Sequence, residues 1–196
     1  MNGSLTAFPK IIPGLTAVKR EARNVEGYQV PTGFKDVAIL VDESGSMMGA
    51  NKTRAVKKVG VSLLGFMNRR RIQFQIIGFG QFATVRVPIG FNYIEGVEYF
   101  VKRYSGYQNT TEITPALPLL KGRRLLVYVI SDAEIFDLHN VKLREDVISE
   151  VVLVLINYTK ECEEFVQAFG KVPVRGYWVD PDKVESFIIR ELGRLS

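Results

Sequence analysis

The chain has 196 residues, 46% of them hydrophobic and 24% charged, the composition of one globular domain with an ample core. No run approaches the roughly 18 uninterrupted apolar residues of a membrane span, and no basic stretch followed by an apolar signal core opens the chain, so a cytoplasmic location is expected. Cys162 is the only cysteine, which excludes an intramolecular disulfide and a zinc site built on paired cysteines and leaves packing as its expected role; the net charge of +5 is spread over many elements, which argues against a nucleic-acid surface.

Residues 1–35 stand outside the strand and helix alternation that follows. Gly3, Pro9, Pro13, Gly14, Gly27, Pro31 and Gly33 keep any element there short, and residues 17–21 and 28–30 are expected to pair as a small hairpin forming an N-terminal arm. Residues 36–196 form the domain proper. Val37 to Val41 is a near-continuous apolar run, as in a strand buried on both faces of a parallel sheet. In residues 50–69, Val56, Val59, Leu63, Leu64 and Met67 recur at helical spacing, with Lys52, Arg54, Lys57 and Lys58 on the remaining faces. Arg69, Arg70 and Arg71 fall where that helix ends, a position in which cations meet the helix dipole favourably.

Residues 72–79 read as a second buried strand, Gly80-Gln81 as a tight turn and residues 82–87 as an antiparallel edge strand. Residues 93–104 are expected to be helical with Val97, Phe100 and Val101 inward, and Gly106 to Thr111 breaks that helix. A short helix over 112–120 presents Thr111 at its amino end, where free N–H groups favour anionic ligands. Then follow a strand at 124–130, an irregular helix at 137–146, a strand at 150–156, a helix at 160–170, a strand at 174–179 and a last helix at 182–195. Such alternation predicts a doubly wound α/β fold: a mostly parallel sheet with one antiparallel edge strand and helices on both faces.

The chemistry concentrates where the first strand leaves the sheet, in Asp42-Glu43-Ser44-Gly45-Ser46-Met47. Loops at the carboxyl ends of parallel strands are where open α/β folds bind ligands. Asp42, Ser44 and Ser46 alternate, so one carboxylate and two hydroxyls can face one concavity, a hard-oxygen half-shell suited to Mg²⁺ or Mn²⁺. The bland alternative is that these side chains only cap the first helix and satisfy turn hydrogen bonds. A phosphate-binding loop ending in Lys52-Thr53 is disfavoured because Ala50 and Asn51 separate Gly49 from the lysine. An aspartyl phosphotransferase would need a second carboxylate at the position of Ser44. His139 has no serine or cysteine motif beside it and is expected on a loop or surface, and Glu134 and Asp137 are expected to be solvated loop acids.

Asp42-Glu43-Ser44-Gly45-Ser46 resembles the Asp-x-Ser-x-Ser signature of von Willebrand factor A domains, whose metal-ion-dependent adhesion site is completed by a threonine from a later loop and an aspartate after the fourth strand. Thr111 in Thr111-Glu112-Ile113-Thr114-Pro115-Ala116-Leu117 matches the family's Thr-x-x-x-x-Ala-Leu pattern, which the neighbouring Thr110 does not, and Asp132 follows the apolar strand ending in Ile130. Ala133 departs from the glycine usual after that aspartate. The resemblance implies a site of Asp42, Ser44, Ser46, Thr111 and Asp132 holding Mg²⁺ or Mn²⁺, in a non-enzymatic module that binds a partner's Asp or Glu through the metal. The basic arm followed by the Asp-x-Ser-Gly-Ser-Met strand also looks similar to the CoxE-like microbial branch, which implies an AAA+ ATPase of the MoxR type as partner. The alternative class is a metal-dependent phosphate-processing enzyme, a phosphatase or nucleotide hydrolase.

Overall fold

The structure, a computed structural model, describes residues 34–156, Glu164 and residues 167–195. Among these, six strands form one sheet: β1 (Asp36–Asp42), β2 (Gln73–Phe79), β3 (Thr84–Gly90), β4 (Leu125–Ser131), β5 (Ile148–Ile156) and β6 (Val174–Val179), in the order β3-β2-β1-β4-β5-β6. Every neighbouring pair is parallel except β2 and β3. The helices are α1 (Ala50–Arg70), α2 (Tyr93–Glu98) and α3 (Val184–Leu195), with a 3-10 helix at Thr114–Leu119. The expected mostly parallel sheet with one antiparallel edge strand is therefore what forms. The expected N-terminal hairpin, Cys162 and most of the helix expected at 160–170 lie outside the described residues.

All seven residues of β1 are buried, because its side chains alternate between two cores. Val37, Ile39 and Val41 meet Val56, Val59 and Leu63 of α1 on one face. Ala38 and Leu40 meet Ile113 and Leu117 on the other. α1 ends as its three arginines suggest: Arg71 takes a left-handed φ of 53° and its N–H donates to the carbonyls of Asn68 and Met67. β3 starts two residues later than expected and runs through Pro88, which an edge strand tolerates since one side needs no N–H donor.

Two expected helices differ in instructive ways. After α2 the chain widens into a π turn over Tyr99–Arg103, closed by the N–H of Tyr104 donating to the carbonyl of Tyr99 at 2.7 Å. The extra residue rotates the helix face. Tyr99, Phe100 and Tyr104 are buried, and Val101, expected inward, is exposed. Of the helix expected over 137–146 only a 3-10 turn at Leu138–Asn140 forms. Asp137 explains this: its carboxylate accepts the N–H groups of Ile113 at 2.9 Å and Thr114 at 2.8 Å, tying the loop to the start of the 3-10 helix. Asp137 is thus a buried cap and not a solvated acid, and those amides are already bonded and do not wait for an anion.

At the far side of the sheet, Glu191 of α3 is buried inside a ring of donors. It accepts Tyr128 Oη at 2.7 Å, Tyr177 Oη at 3.0 Å, Arg194 Nη2 at 2.8 Å and Arg175 Nη1 at 3.1 Å, and Arg175 also pairs with Glu150. Burial alone would push the Glu191 carboxyl up, but the Arg194 bond, the charges of Arg175 and Arg194 and the Tyr128 bond together hold it down at about 2. A carboxylate whose folded value is depressed stabilises the fold above its ordinary value, and the gain is lost as pH falls toward the folded one. Glu191→Gln is therefore expected to cost about 3 kcal/mol at neutral pH. In urea titrations the gap between wild type and variant should close as pH falls from about 4.5 toward 2; a gap that persists unchanged at low pH contradicts this account.

Candidate metal centre

β1 and β4 are neighbours at the point where the strand order turns back on itself, with β2 and β3 on one side and β5 and β6 on the other. In open α/β sheets the crevice outside the carboxyl ends of such strands is where ligands sit. Asp42 closes β1 and Asp132 follows β4, so register alone brings both carboxylates to that crevice.

Asp42 is fully buried and its two oxygens are held in place: Oδ1 accepts the N–H of Ser44 at 2.8 Å, and Oδ2 accepts the Ser131 hydroxyl at 2.6 Å. Burial pushes its carboxyl up to about 6 against the lowering effect of those Ser131 and Ser44 bonds, and the neighbouring Asp132 adds to the rise. Ser44 Oγ and Ser46 Oγ lie 2.9 Å apart. Adjacent oxygen ligands around an ion with bonds of about 2.1 Å need a separation of about 3.0 Å, so this hydroxyl pair fits a small hard cation. Neither serine caps a helix: Gly49 occupies the N-cap of α1, no side chain caps it, and Ser44 makes no capping bond to the short 3-10 turn at Gly45–Met48. The helix caps of that alternative do not form, while its turn hydrogen bonds do: the Ser44 N–H donates to Asp42 Oδ1, and the Ser44 and Ser46 hydroxyls are hydrogen-bonded to each other.

The loop carrying Thr111 is docked onto this turn. The N–H groups of Tyr107 and Gln108 donate to the carbonyl of Glu43, the N–H of Gly45 donates to the carbonyl of Gln108 at 2.7 Å, and Tyr104 Oη donates to the carbonyl of Asp42 at 2.9 Å. Gly106 is required here, since a Cβ would run into the carbonyl of Ser44. Thr111 is buried, and its carbonyl accepts the N–H of Phe136 from the loop after Asp132. Thr110 buries its hydroxyl with no hydrogen-bond partner among the described residues, so this loop retains an uncommitted oxygen beside Thr111. Ala133 accepts a left-handed φ of 69°. The strain of that conformation, about 1 kcal/mol for a residue with a Cβ, is offset by burial of its methyl, worth about 0.8 kcal/mol, which accounts for alanine in place of glycine.

Asp42, Ser44, Ser46 and Asp132 therefore converge, and Thr111 is held on the adjoining loop. Among the described residues no three His, Cys, Asp or Glu cluster to hold a metal. The donors at the crevice are two carboxylates and hydroxyls, a set for Mg²⁺ or Mn²⁺ and not for zinc. Two participants escaped the sequence. Lys52, expected on a solvated face of α1, donates from Nζ to Asp132 Oδ2 at 2.8 Å and to the carbonyl of Ser46 at 3.1 Å. Glu43 is buried beside Asp42 with its carboxylate fully engaged. Arg86 reaches it in a fork, Nε to Oε1 at 2.9 Å and Nη2 to Oε2 at 2.6 Å, joined by Tyr99 Oη at 2.8 Å and Gln108 Nε2 at 3.2 Å. Gly78 makes the room, because a Cβ there would overlap the Glu43 carboxylate. His139 is exposed, as expected.

Removing one partner of a buried ion pair leaves an uncompensated charge, at a cost of about 3 kcal/mol. Arg86→Met should lower stability by about that amount in urea unfolding, and adding Glu43→Gln should recover a substantial part of it. If the double variant is no better than the single one, the pair is not what Arg86 contributes.

No protein-family model matches the chain, and no curated protein matches it. Solved structures do. The crystal structure of the conserved hypothetical protein BatB from Bacteroides thetaiotaomicron aligns with TM-score 0.58 and 20% identity over 81% of this chain and 98% of that one. The SpRpn10 VWA domain aligns with TM-score 0.59 and 11% identity over 81% and 95% of the two chains. The von Willebrand factor type A protein from Catenulispora acidiphila gives 0.60 and 13% over 81% and 42%. At these identities the likeness speaks to architecture, and with the strand order and the crevice described above, the fold of this chain is that of a von Willebrand factor A domain.

Proposed function

We propose that the chain is a metal-dependent protein-interaction module. Asp42, Ser44, Ser46, Thr111 and Asp132 would hold one Mg²⁺ or Mn²⁺, and a partner protein would complete the shell with an Asp or Glu. The observation that carries this reading is the pair of serine hydroxyls at 2.9 Å, uncommitted to any helix cap, beside two buried carboxylates. Asp42 has only neutral donors beside the carboxylate of Asp132, and a buried charge left so is unfavourable unless a cation compensates it. When bound, the cation supplies a positive centre that can accept a carboxylate oxygen from outside.

The chain's own residues prepare that contact. The Ser44 amide and the Ser131 hydroxyl fix the Asp42 carboxylate, and the Glu43 network locks the turn that aims Ser44 and Ser46. Glu43, the acid beside Asp42, is engaged by the Arg86 guanidinium and is not free to act as a base, which favours a binding module over the phosphate-processing alternative. Lys52, the residue a phosphate loop would turn toward its ligand, is bonded to Asp132. The likeness of the Asp-x-Ser-Gly-Ser-Met strand to the CoxE-like branch supports an AAA+ ATPase of the MoxR type as the partner class.

A ligand that binds only the folded state raises stability by RT ln(1 + [L]/Kd), about 2.7 kcal/mol at a hundredfold excess over Kd. Melting temperature should rise with Mg²⁺ or Mn²⁺ and fail to rise in Asp42→Ala, while Thr111→Ala should respond only at higher metal concentration. A wild-type protein indifferent to both ions would end the metal reading. Once a partner is isolated, its capture should be lost in chelator and in Thr111→Ala, and only mildly weakened by joint Lys57→Ala and Lys58→Ala. Capture that survives chelation but not loss of the lysines would mean attraction to a basic surface, which weakens steadily with salt.

A further inference from the structure

Lys52 is the third residue of α1, and its ammonium lies at the amino end of that helix, where the dipole disfavours a cation. No acidic residue in the first turn accounts for it. Its side chain reaches into the crevice, 19% exposed, and donates to the fully buried Asp132 and to the carbonyl of Ser46. Asp132 belongs to the donor set of the cation site, and the Ser46 carbonyl is the backbone of the residue whose hydroxyl belongs to it. An ammonium is a compact point charge with three donors, the side chain best able to stand where a small metal ion would sit.

We propose that Lys52 is a tethered cation that competes with the divalent ion for Asp132 and so sets the metal concentration at which the site loads. This rests on the metal reading of the site and goes beyond it. The Lys52 ammonium compensates one of the two buried carboxylates, so Asp132 is charge-paired within the chain. Lys52 holds Oδ2 of Asp132 while Oδ1 accepts the N–H of Glu134 at 3.3 Å, so a divalent ion gains Oδ2 as a ligand only when the Lys52 bond breaks and the side chain swings outward on its flexible stem. Lys57, five residues on along the same helix, donates instead to the carbonyl of Val101 and touches no donor of the site. Its removal takes away the same charge without the competition.

Mn²⁺ binding measured by calorimetry and by electron paramagnetic resonance on the wild type, Lys52→Met, Lys57→Met and Asp42→Ala tests this. Lys52→Met should bind Mn²⁺ about tenfold more tightly than wild type, Lys57→Met within about twofold of it, and Asp42→Ala not at all. In parallel, acylation of Lys52 by an amine-reactive ester, followed by mass spectrometry of the wild type, should quicken in Mn²⁺ relative to chelator. Wild type that binds Mn²⁺ while Lys52→Met binds equally or more weakly overturns the competition but leaves the metal site standing. Binding by Lys52→Met alone supports it strongly. Binding by neither overturns both.

Discussion

Two consecutive carboxylates, Asp42 and Glu43, leave water together at the end of a strand buried on both faces, and the loops at that edge are arranged around their solvation. A buried carboxylate must be paired or fully hydrogen-bonded, or it costs several kcal/mol. Glu43 draws in Arg86 from β3, Tyr99 from the π turn and Gln108 from the following loop. Asp42 draws in Ser131 from β4 and the amide of Ser44. The turn that carries the serines is thus clamped from both sides before any ligand is considered.

The two acids are treated differently, and the difference separates scaffold from site. Glu43 has a guanidinium fork, whose own value is raised by that carboxylate, and every lone pair is spoken for. Asp42 has only neutral donors, and its neighbour in charge is another carboxylate. Asp132 is answered by the ammonium of Lys52. One negative charge is therefore left without an internal counter-ion at the crevice, and that residue sits between the serine hydroxyls and the incoming loops. Glu191 is likewise paired with guanidinium groups, and there the network serves to seat α3.

The strands were legible because a run such as Val37 to Val41 or Leu125 to Ile130 can be buried in few other ways; Asp42, Ser44 and Ser46 stood out as candidates by their alternating oxygens at a strand end, and Thr111 and Asp132 only through the family resemblance. What stayed hidden depended on contacts remote in sequence. Glu43 meets Arg86 across 43 residues, and neither carries a local signal. The π turn follows from the demand for the Tyr99 hydroxyl at Glu43 and from burial of Tyr104, and helical periodicity holds no trace of it. Lys52 lies off the apolar face of α1, where a helical wheel assigns it to solvent, yet the nearness of the helix start to β4 gives it Asp132. Asp137 caps amides 24 and 23 residues earlier in the chain, a bond that turned an expected helix into a loop.

The central position of β1 has a cost during synthesis. Among the six described strands it is the first made, and the partner on its β4 side follows a long stretch of chain; Ser131 and Asp42, which bond in the finished sheet, are 89 residues apart. Until β4 arrives, a nascent chain holding β1, β2 and β3 presents an apolar strand with one unpaired edge, the kind of edge that recruits strands from other chains. Closing so long a loop is also slow, since its entropy is lost before the contacts form. The half-sheet with its exposed rim is thus the stage at which a growing polypeptide is most in need of a chaperone, and the crevice that would hold a cation comes into being only when that rim is sealed.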